Sequence, residues 1–345
     1  MGKARARLSA GTALNGSEGL TSAWALTDGK AGDETQCRAV IEAVGLSAEL
    51  RRVRPRPPFS WLAPWGPADP RDGAPLRPPW PDLIVASGRR AVPYLRAARR
   101  RSAGRAFTVF LKDPRTGPGL ADLIWAPDYD PIRGPNVVGS LTSPHRFSPA
   151  RLAEARACPD PRVAALPSPR VAVLVGGDTR HGRVMVNDAT EFVAGLESVV
   201  AGGASLAITT SRRTPAGLAG ALRDLVARRG GLLWLGEGEN PYPSMLALAD
   251  AIVVTADSIN MLSEAVATGV PVLVARNEGA TSDRHHAFVS ALERRGAIRF
   301  FAGRLDAFAY EPLDSTPAIA QAVLTAYQAH RSAMVAREAG SERRT

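Results

Sequence analysis

Five short segments are rich in glycine, charged or hydroxyl-bearing residues, in patterns that suit ligand chemistry. They are 27–34 (TDGKAGDE), 88–90 (GRR), 176–179 (GGDT), 240–265 (NPYPSMLALADAIVVTADSINMLSEA) and 282–286 (SDRHH). The first three follow short apolar runs, and the fourth contains one, so they are predicted where a strand ends and a helix begins. Free backbone amides at such turns favour anions, which indicates binding of a phosphate or of developing negative charge.

The first segment pairs two glycines with two acidic residues. Gly29 and Gly32 let backbone amides approach a ligand, and Asp33 and Glu34 are predicted in the first turn of the following helix. Two interpretations of the carboxylates stay open: they complement the helix dipole, or one of them is a general base facing a cleft. The segment matches neither the GxxxxGK[ST] nor the GxGxxG pattern.

The second and third segments predict contacts to phosphate. Arg89 and Arg90 follow the apolar run 83–86 and suit a phosphate clamp, although a solvated basic helix start is the alternative. Gly176 and Gly177 follow the apolar run 170–175, where their amides suit a diphosphate together with Asp178 and Thr179 in the same loop. A tight turn that requires only a positive φ is the alternative for the two glycines.

The fourth segment is the most informative. A strand is predicted to end at Thr255, and Asp257, Ser258 or Asn260 suits the N-cap of the next helix, whose free amides favour phosphate. Glu264 lies six residues beyond Ser258, where a carboxylate can accept both hydroxyls of a ribose. An ordinary exposed helix glutamate is the alternative, but the neighbouring residues are apolar.

The histidines and the acidic pairs do not predict a metal site. The adjacent His285 and His286 point about 100° apart on a helix, so they are not expected to bind one ion. Asp128 and Asp130 form a DxD pattern, but between two prolines in a predicted loop. Neither HExxH, GxSxG nor CxxC occurs, so we expect no metal and no covalent hydrolase chemistry.

The elements that position these segments predict an α/β protein with two doubly wound, Rossmann-like domains facing a cleft. Short buried apolar runs alternate with helical stretches in both halves of the chain. The predicted divisions are a disordered tail at 1–20, a first α/β domain at 21–157, a linker at 158–169, a second α/β domain at 170–310, and a helix and tail at 311–345. A Pro- and Trp-rich loop at 54–81 interrupts the first domain.

The charge distribution predicts an anionic partner for the first half of the chain. The protein has 345 residues and a net charge of +10, and residues 1–160 contain 24 Lys and Arg against 15 Asp and Glu. The strong preference for Arg over Lys is typical of a GC-rich coding bias, and nucleic-acid recognition motifs are absent, so we expect no nucleic acid partner. An anionic membrane surface or an acidic acceptor fits better.

The aromatic residues of the 54–81 loop have two interpretations. Phe59, Trp61, Trp65 and Trp80 either enter a membrane interface or cover the edge of the sheet. The sequence contains no apolar run of membrane-spanning length and no signal-peptide core. We therefore expect a cytoplasmic protein, with peripheral association at the inner membrane.

Two resemblances extend these interpretations. Residues 242–296, with SINMLSEAVATGVPVLV and ALERRGA, resemble the nucleotide-sugar domain of GT-B glycosyltransferases, particularly the peptidoglycan N-acetylglucosaminyltransferase. Over residues 22–305, the segments DGKAGDETQ, GRR, GGDTRH, NPYPSMLALADAIVVTADSINMLSEA and GATSDRHHAFVSALERRGAIRFF resemble bacterial members of the mitochondrial fission "elongate mitochondria" family. The second resemblance implies a GT-B-like fold but leaves the biochemical activity open.

The transferase resemblance implies a role for individual residues. Glu264 matches the glutamate that holds the ribose, Ser258 a phosphate-side position, and Gly176 and Gly177 the diphosphate loop. The resemblance also implies that Met245 contacts the base and that Arg284 and His285 bind sugar hydroxyls. Gly29, Gly32 and Asp33 match the acceptor-side loop, in which the transferase has a histidine base and this chain an acid.

These observations favour a metal-independent glycosyltransferase without a cofactor. The donor would be a nucleoside-diphosphate sugar with UDP as the expected nucleotide, and an acceptor hydroxyl of unidentified origin would be deprotonated by Asp33 or Glu34. Two alternatives stay open. One is a non-enzymatic adaptor that recruits a membrane-remodelling partner such as a dynamin-like GTPase, and the other is a nucleotide-sugar epimerase.

Overall fold

The chain forms two compact units. The computed structural model describes residues 6–7, 19–178, 189–276 and 282–342. The first unit comprises the chain up to Arg146 together with the part from Ser315 onward, and the second unit comprises Phe147–Asp314. Thr179, one of the predicted phosphate-loop residues, lies outside the described residues.

Among the described residues, the strands form two parallel sheets. They are β1 (Ala6–Arg7), β2 (Ala23–Thr27), β3 (Ala48–Arg52), β4 (Leu83–Ser87), β5 (Phe107–Leu111), β6 (Leu123–Pro127), β7 (Val137–Ser140), β8 (Arg170–Val175), β9 (Ser205–Thr210), β10 (Leu232–Trp234), β11 (Ala251–Thr255), β12 (Val272–Ala275) and β13 (Arg299–Phe300). The first sheet has the order β1-β7-β6-β5-β4-β2-β3, and the second has the order β10-β9-β8-β11-β12-β13. All pairs are parallel.

Helices connect most of these strands. They are α1 (Ala31–Ala43), α2 (Phe59–Leu62), α3 (Val92–Arg101), α4 (Pro149–Ala157), α5 (Pro161–Ala164), α6 (Ala189–Ala201), α7 (Ala216–Arg229), α8 (Tyr242–Leu248), α9 (Ile259–Val266), α10 (Asp283–Arg294) and α11 (Thr316–Glu342). Within the described ranges, no helix combines the length and the apolar character needed to cross a bilayer.

Three predicted irregular segments contain regular structure. Helix α5 lies inside 158–169, because Pro161 suits the first position of a helix and Asp160 accepts a hydrogen bond from the Arg162 amide. The short α2 lies inside 54–81. Strand β1 lies inside 1–20 and pairs with β7, whereas residues 1–5 and 8–18 lie outside the described part of the chain.

The first sheet is covered on both faces. Side chains alternate across β2, so Trp24 and Leu26 join a cluster with α3, whereas Ala23 and Ala25 join a cluster with α1 and α11. The second sheet packs one face against α6 and α7. The predicted α/β class with two doubly wound, Rossmann-like domains is thus confirmed, unit by unit.

Each sheet has one point where the direction of winding reverses. In the first unit the chain runs from β2 outward to β3, then returns to β4 on the other side of β2. In the second unit it runs from β8 through β9 and β10, then returns to β11 beside β8. Ligands of doubly wound sheets bind where the carboxyl ends of such neighbouring strands diverge. Ligand binding is therefore expected at the carboxyl ends of β2 and β4 in the first sheet and of β8 and β11 in the second.

Candidate functional site

At the carboxyl edge of the first sheet, Asp28 lies against Gly88. Gly88 has a φ of +99°, and a Cβ at this position would lie 2.7 Å from Asp28 Cγ, so glycine is needed for this close approach. The Asp28 side chain is 4% exposed, and its Oδ2 lies 3.4 Å from Lys30 Nζ. Its Oδ1 is buried and has no hydrogen-bond partner among the described residues. A buried, unpaired carboxylate oxygen is costly, so a function other than packing can explain it.

Asp33 lies at the same edge and is already paired. Lys112 Nζ lies 2.5 Å from Asp33 Oδ1, and Ser87 Oγ donates to the same oxygen at 3.0 Å. Burial raises the pKa of Asp33, but the charges of Lys112 and Lys30 and the Ser87 hydrogen bond outweigh it and hold the pKa below its ordinary value. Asp33 is therefore an ionised carboxylate held by a lysine.

Lys112 is a site residue that the sequence analysis missed. It lies directly after β5 with a φ of +78°, in the left-handed region that side chains other than glycine rarely adopt. Such a conformation at a strand end is typical of functional positions. Two features of the sequence could have identified Lys112. The chain has only three lysines, and this one follows an apolar run that is predicted to be a buried strand.

Glu34 is fixed by an arginine. Arg52 Nε donates to Oε1 at 2.6 Å and Nη2 donates to Oε2 at 3.0 Å. The hydrogen bonds from Arg52 lower the pKa of Glu34 below its ordinary value, against a smaller opposing effect of burial. This bidentate pair joins α1 to β3 and makes Glu34 a weaker candidate base than the sequence predicts.

The predicted glycines of this edge lie in the turn after β2. Gly29 has a φ of +86°, and its amide donates to Thr27 Oγ1 at 3.3 Å. Gly32 lies in the first turn of α1.

The two predicted clamp arginines have different environments. Arg89 donates to the backbone carbonyls of Ser60, at 3.0 Å, and of Ala63. Its guanidinium thus holds the 54–81 loop, and its predicted role in a phosphate clamp stays a prediction. Arg90 is exposed, and no hydrogen bond or ion pair joins it to the described residues.

At the carboxyl edge of the second sheet, the chain's own side chains occupy the glycine turn. The Gly176 amide donates to Thr255 Oγ1 at 2.8 Å, and the Gly177 amide donates to Asp257 Oδ2 at 2.9 Å. Thr255 Oγ1 donates in turn to Asp257 Oδ1 at 2.6 Å. Both amides are therefore bonded to side chains of the chain itself, and their predicted role in binding a diphosphate stays a prediction.

The rest of this turn is also engaged. The Asp178 amide donates to the Arg213 carbonyl at 2.9 Å, and Arg213 Nη1 donates back to the Asp178 carbonyl at 2.6 Å. Burial raises the pKa of Asp257 and outweighs the hydrogen bonds from Thr255 and Gly177 that lower it. A bound diphosphate would have to displace the Asp257 carboxylate from the Gly177 amide and the Thr255 hydroxyl from the Gly176 amide.

Glu264 is buried on α9, one turn beyond the start of this helix. The Tyr242 hydroxyl donates to Glu264 Oε2 at 2.6 Å, and the residue is 8% exposed. Burial raises the pKa of Glu264 to about 7, against a smaller lowering by the Tyr242 hydrogen bond. Burial and the neighbouring Glu264 carboxylate likewise raise the pKa of Tyr242 far above its ordinary value. The site therefore contains a carboxylate that changes its charge near neutral pH.

The other predicted residues of the second unit fall into two groups. Ser258 caps α9, since its Oγ accepts a hydrogen bond from the Met261 amide at 3.3 Å, and Asn260 lies in the first turn of that helix. Met245 is only 1% exposed and lies among the buried residues of α8. Its predicted contact with a nucleotide base stays a prediction.

Arg284 and His285 lie in the first turn of α10. Arg284 is exposed, and Ser282 Oγ lies 2.8 Å from His285 Nδ1. Because α9 and α10 follow the neighbouring strands β11 and β12, they begin at the same edge of the sheet. Their assignment to sugar hydroxyls stays a prediction.

The acidic DxD pattern lies directly after β6. Asp130 is buried, and the Asp128 amide donates to the Ser140 carbonyl at 2.9 Å. Within the described ranges, no group of three or more His, Cys, Asp or Glu side chains is arranged to hold a metal ion.

Comparisons with solved structures find matches at low sequence identity. The UDP-GlcNAc 2-epimerase from Neisseria meningitidis, bound to UDP-GlcNAc, is 12% identical, covers 89% of this chain and 91% of its own, and has a TM-score of 0.48. Acinetobacter baumannii MurG is 14% identical, covers 89% and 95% of the two chains, and has a TM-score of 0.47.

Comparisons of sequence find closer relatives. The mitochondrial fission protein ELM1 of Arabidopsis thaliana is 30% identical over 265 residues, which are 68% of this chain and 61% of the plant protein. An uncharacterized protein of Rickettsia prowazekii is 33% identical over 96 residues, 27% of each chain. The present chain thus spans less than two thirds of the plant protein. A model of the family described as "Mitochondrial fission ELM1" matches residues 31–327, and the chain therefore belongs to the mitochondrial fission ELM1 family.

Proposed function

We propose that the protein is a glycosyltransferase that uses a nucleoside-diphosphate sugar, with UDP as the nucleotide. The observation that carries this proposal is Glu264, a buried carboxylate for which the described residues provide no ion pair. It lies on α9, the helix that follows β11 at the winding reversal of the second sheet. A carboxylate in this position can accept the hydroxyls of a ribose while the first amides of α9 face the phosphates. A buried glutamate without an ion pair is otherwise costly to keep.

The phosphate contacts of this proposal differ from those that the sequence predicts. Because Asp257 occupies the Gly177 amide, the negative charge of the leaving diphosphate would be stabilised mainly at the start of α9. Ser258 uses its side chain on the Met261 amide, and the Ile259 amide at the helix start is the candidate donor.

We assign the acceptor side to the first unit and the catalytic base to Asp28. The oxygens of Asp33 and Glu34 are engaged by Lys112 and Arg52, whereas Asp28 Oδ1 has no partner in the described residues. In the reaction, the acceptor hydroxyl passes its proton to Asp28 and its oxygen bonds to the anomeric carbon. The bond from that carbon to the diphosphate breaks, and the electron pair leaves with the diphosphate.

Calorimetry with UDP and UDP-GlcNAc tests the donor site. We expect the wild type to bind and Glu264→Gln to bind about 10- to 100-fold more weakly, as for the loss of a hydrogen bond to a charged group. Binding by the wild type should strengthen from pH 6 to pH 8, because the ionised fraction of Glu264 increases around its pKa of about 7. Glu293→Gln, on the exposed side of α10, is the matched control and should leave binding unchanged. A wild type that binds neither nucleotide contradicts the proposal.

A second function, a non-enzymatic adaptor for a membrane-remodelling partner, is favoured by one observation. The anion-binding amides after β8 and the acidic residues after β2 are largely satisfied by the chain itself. Retention of a partner protein without any nucleotide binding would support this function over transfer. Exchange at the sugar C2 in the absence of an acceptor, followed by NMR, would indicate an epimerase.

We further propose that the protein works on the cytoplasmic side of the inner membrane as a peripheral protein. The basic character of the first half of the chain supports this placement.

A further inference from the structure

Three large apolar side chains are exposed together on one short turn of the first unit. Trp61 is 73% exposed, Leu62 50% and Trp65 67%, and all three belong to residues 59–66, here called the aromatic turn. In the described residues the other exposed large apolar side chains, Leu235 and Val335, lie far away in the sequence. Clustered apolar exposure of this kind marks an interaction surface.

The backbone of the aromatic turn is firmly held, so these side chains are displayed by a rigid support. The amides of Trp65 and Gly66 donate to the Leu62 carbonyl at 3.0 and 2.9 Å. Arg96, on α3, donates to the carbonyls of Pro64 and Trp65, both at 3.2 Å. Arg89 donates to two further carbonyls of the same turn.

The exposure is specific to this turn and is not a property of the whole 54–81 loop. The Trp80 ring packs against Trp24 of β2, with 5.5 Å between ring centroids, and it lies against the core of the first unit. Trp80 therefore covers the sheet, as one of the two interpretations predicts. Trp61 and Trp65 have no ring partner among the described residues.

The segment of the chain that contains the aromatic turn is strongly basic. Residues 51–105 contain thirteen arginines and three aspartates. The aspartates are engaged within the unit: Asp69 is buried and pairs with Arg56, Asp72 accepts from the Tyr94 hydroxyl at 2.7 Å, and Asp82 accepts from Thr21. Arg89, Arg90 and Arg96 are exposed on the elements that contact or adjoin the turn.

We propose that the aromatic turn is the surface through which the protein docks on a bilayer of anionic phospholipids. Indole rings suit the boundary between headgroups and acyl chains because each ring has an apolar body and a polar N–H. Guanidinium groups beside them bind lipid phosphates, and the excess of arginine attracts the chain to a negative surface. This surface accounts for the membrane association proposed above and does not depend on the transfer reaction.

Sedimentation with lipid vesicles tests the inference. The wild-type chain should bind vesicles of phosphatidylglycerol with phosphatidylcholine, and bind phosphatidylcholine alone much less. Replacing both indoles (Trp61→Ser with Trp65→Ser) should weaken partitioning on the order of tenfold or more, because interfacial binding scales with buried apolar area. Raising the salt concentration should weaken binding of the wild type. Lipids brominated in their acyl chains should quench more tryptophan emission in the wild type than in the double variant.

Controls separate this surface from other effects. Leu235→Ser removes an exposed apolar side chain of the second unit and should leave vesicle binding unchanged. The double variant should keep the melting temperature and the UDP affinity of the wild type, so a failure of donor binding reports on the transferase proposal alone. Equal vesicle binding by wild type and double variant would overturn the inference. The inference would also be overturned if the wild type did not bind vesicles and the double variant self-associated less than the wild type in sedimentation velocity. The aromatic turn would then be an interface between copies of the chain.

Discussion

Ionisation of Glu264 favours the proposed ligand binding but lowers the stability of the folded state. Burial raises its pKa to about 7 from an ordinary value of 4.5. As the pH rises from 4.5, the unfolded chain loses the proton before the folded chain does, so the folded state becomes less stable until the pH passes 7. Glutamine could accept the Tyr242 hydrogen bond without this loss of stability, so a purely structural role does not require an ionisable side chain. An ionisable side chain at this buried position therefore favours ligand binding.

This conflict predicts the effect of Glu264→Gln on stability. Glutamine can still accept the hydrogen bond from Tyr242 but carries no charge, so the variant should exceed the wild type in stability by about 1–3 kcal/mol at pH 8. At pH 4 the two proteins should unfold alike, because Glu264 is protonated in both states. Urea unfolding at the two pH values measures the difference. A difference that does not change with pH would contradict this account of the Glu264 pKa.

The three carboxylates after β2 should respond differently to amidation. Asp28→Asn should reduce the release of UDP from UDP-GlcNAc about 10²- to 10⁴-fold, with water as the acceptor, while donor binding persists. Asp33→Asn should lower stability, because it leaves Lys112 without its partner at 2.5 Å. Glu34→Gln removes the charge that Arg52 pairs with and should retain most of the activity. If Asp28→Asn is fully active and Asp33→Asn folds but is inactive, the base is Asp33, as the sequence predicts.

The partners of these residues could not be predicted from sequence, although several site residues could. Glu264, Asp33 and the glycines are identified by their position beside predicted strand ends. Tyr242 is 22 positions from Glu264, and Lys112 is 79 from Asp33. Asp257 is 80 positions from Gly177. Such contacts depend on which strands are neighbours, and a single sequence gives no information on that order.

At the scale of elements, the buried strands were predictable and the edge strand was not. Strands such as β4 and β5 are buried at every residue and appear as continuous apolar runs. Strand β3 (AELRR) has a single leucine and is only partly buried, because it pairs on one side only, with β2. Its pattern therefore contains no apolar run. The turns between buried strands carry the site, and their geometry depends on a few backbone positions.

Gly88 tests one such turn. Gly88→Ala should destabilise the first unit by about 1–3 kcal/mol, since alanine is strained at a φ of +99° and its Cβ would overlap the Asp28 carboxylate. Gly104→Ala is the matched control, with a φ of +75° and open space around the Cβ, and should cost only about 1–2 kcal/mol of strain. Urea midpoints measure both costs. Only Gly88→Ala should also impair UDP release, and impairment by both would show that the effect is general instability.

At the scale of the whole molecule, the first unit is built from two segments of the chain, one before and one after the second unit. The chain enters the second unit after Arg146 and returns to the first at Ser315, where Thr142 Oγ1 donates to Ser315 Oγ at 2.6 Å. Helix α11 then packs Ile319, Val323 and Leu324 against the first sheet. The core of the first unit is therefore incomplete until the end of the chain has been made.

This arrangement predicts unit-specific destabilisation from a substitution on α11. Leu324 is fully buried, so Leu324→Ala should cost about 2–5 kcal/mol through the cavity that it leaves. Hydrogen exchange should show faster exchange in β2, β4 and β5, while β8 and β11 keep their protection, because α11 contributes to the first core only. Val335→Ala, on the same helix but 61% exposed, should change neither unit. Equal loss of protection in both units would mean that they unfold as one cooperative body, and the separate dependence of the first unit on α11 would then be wrong.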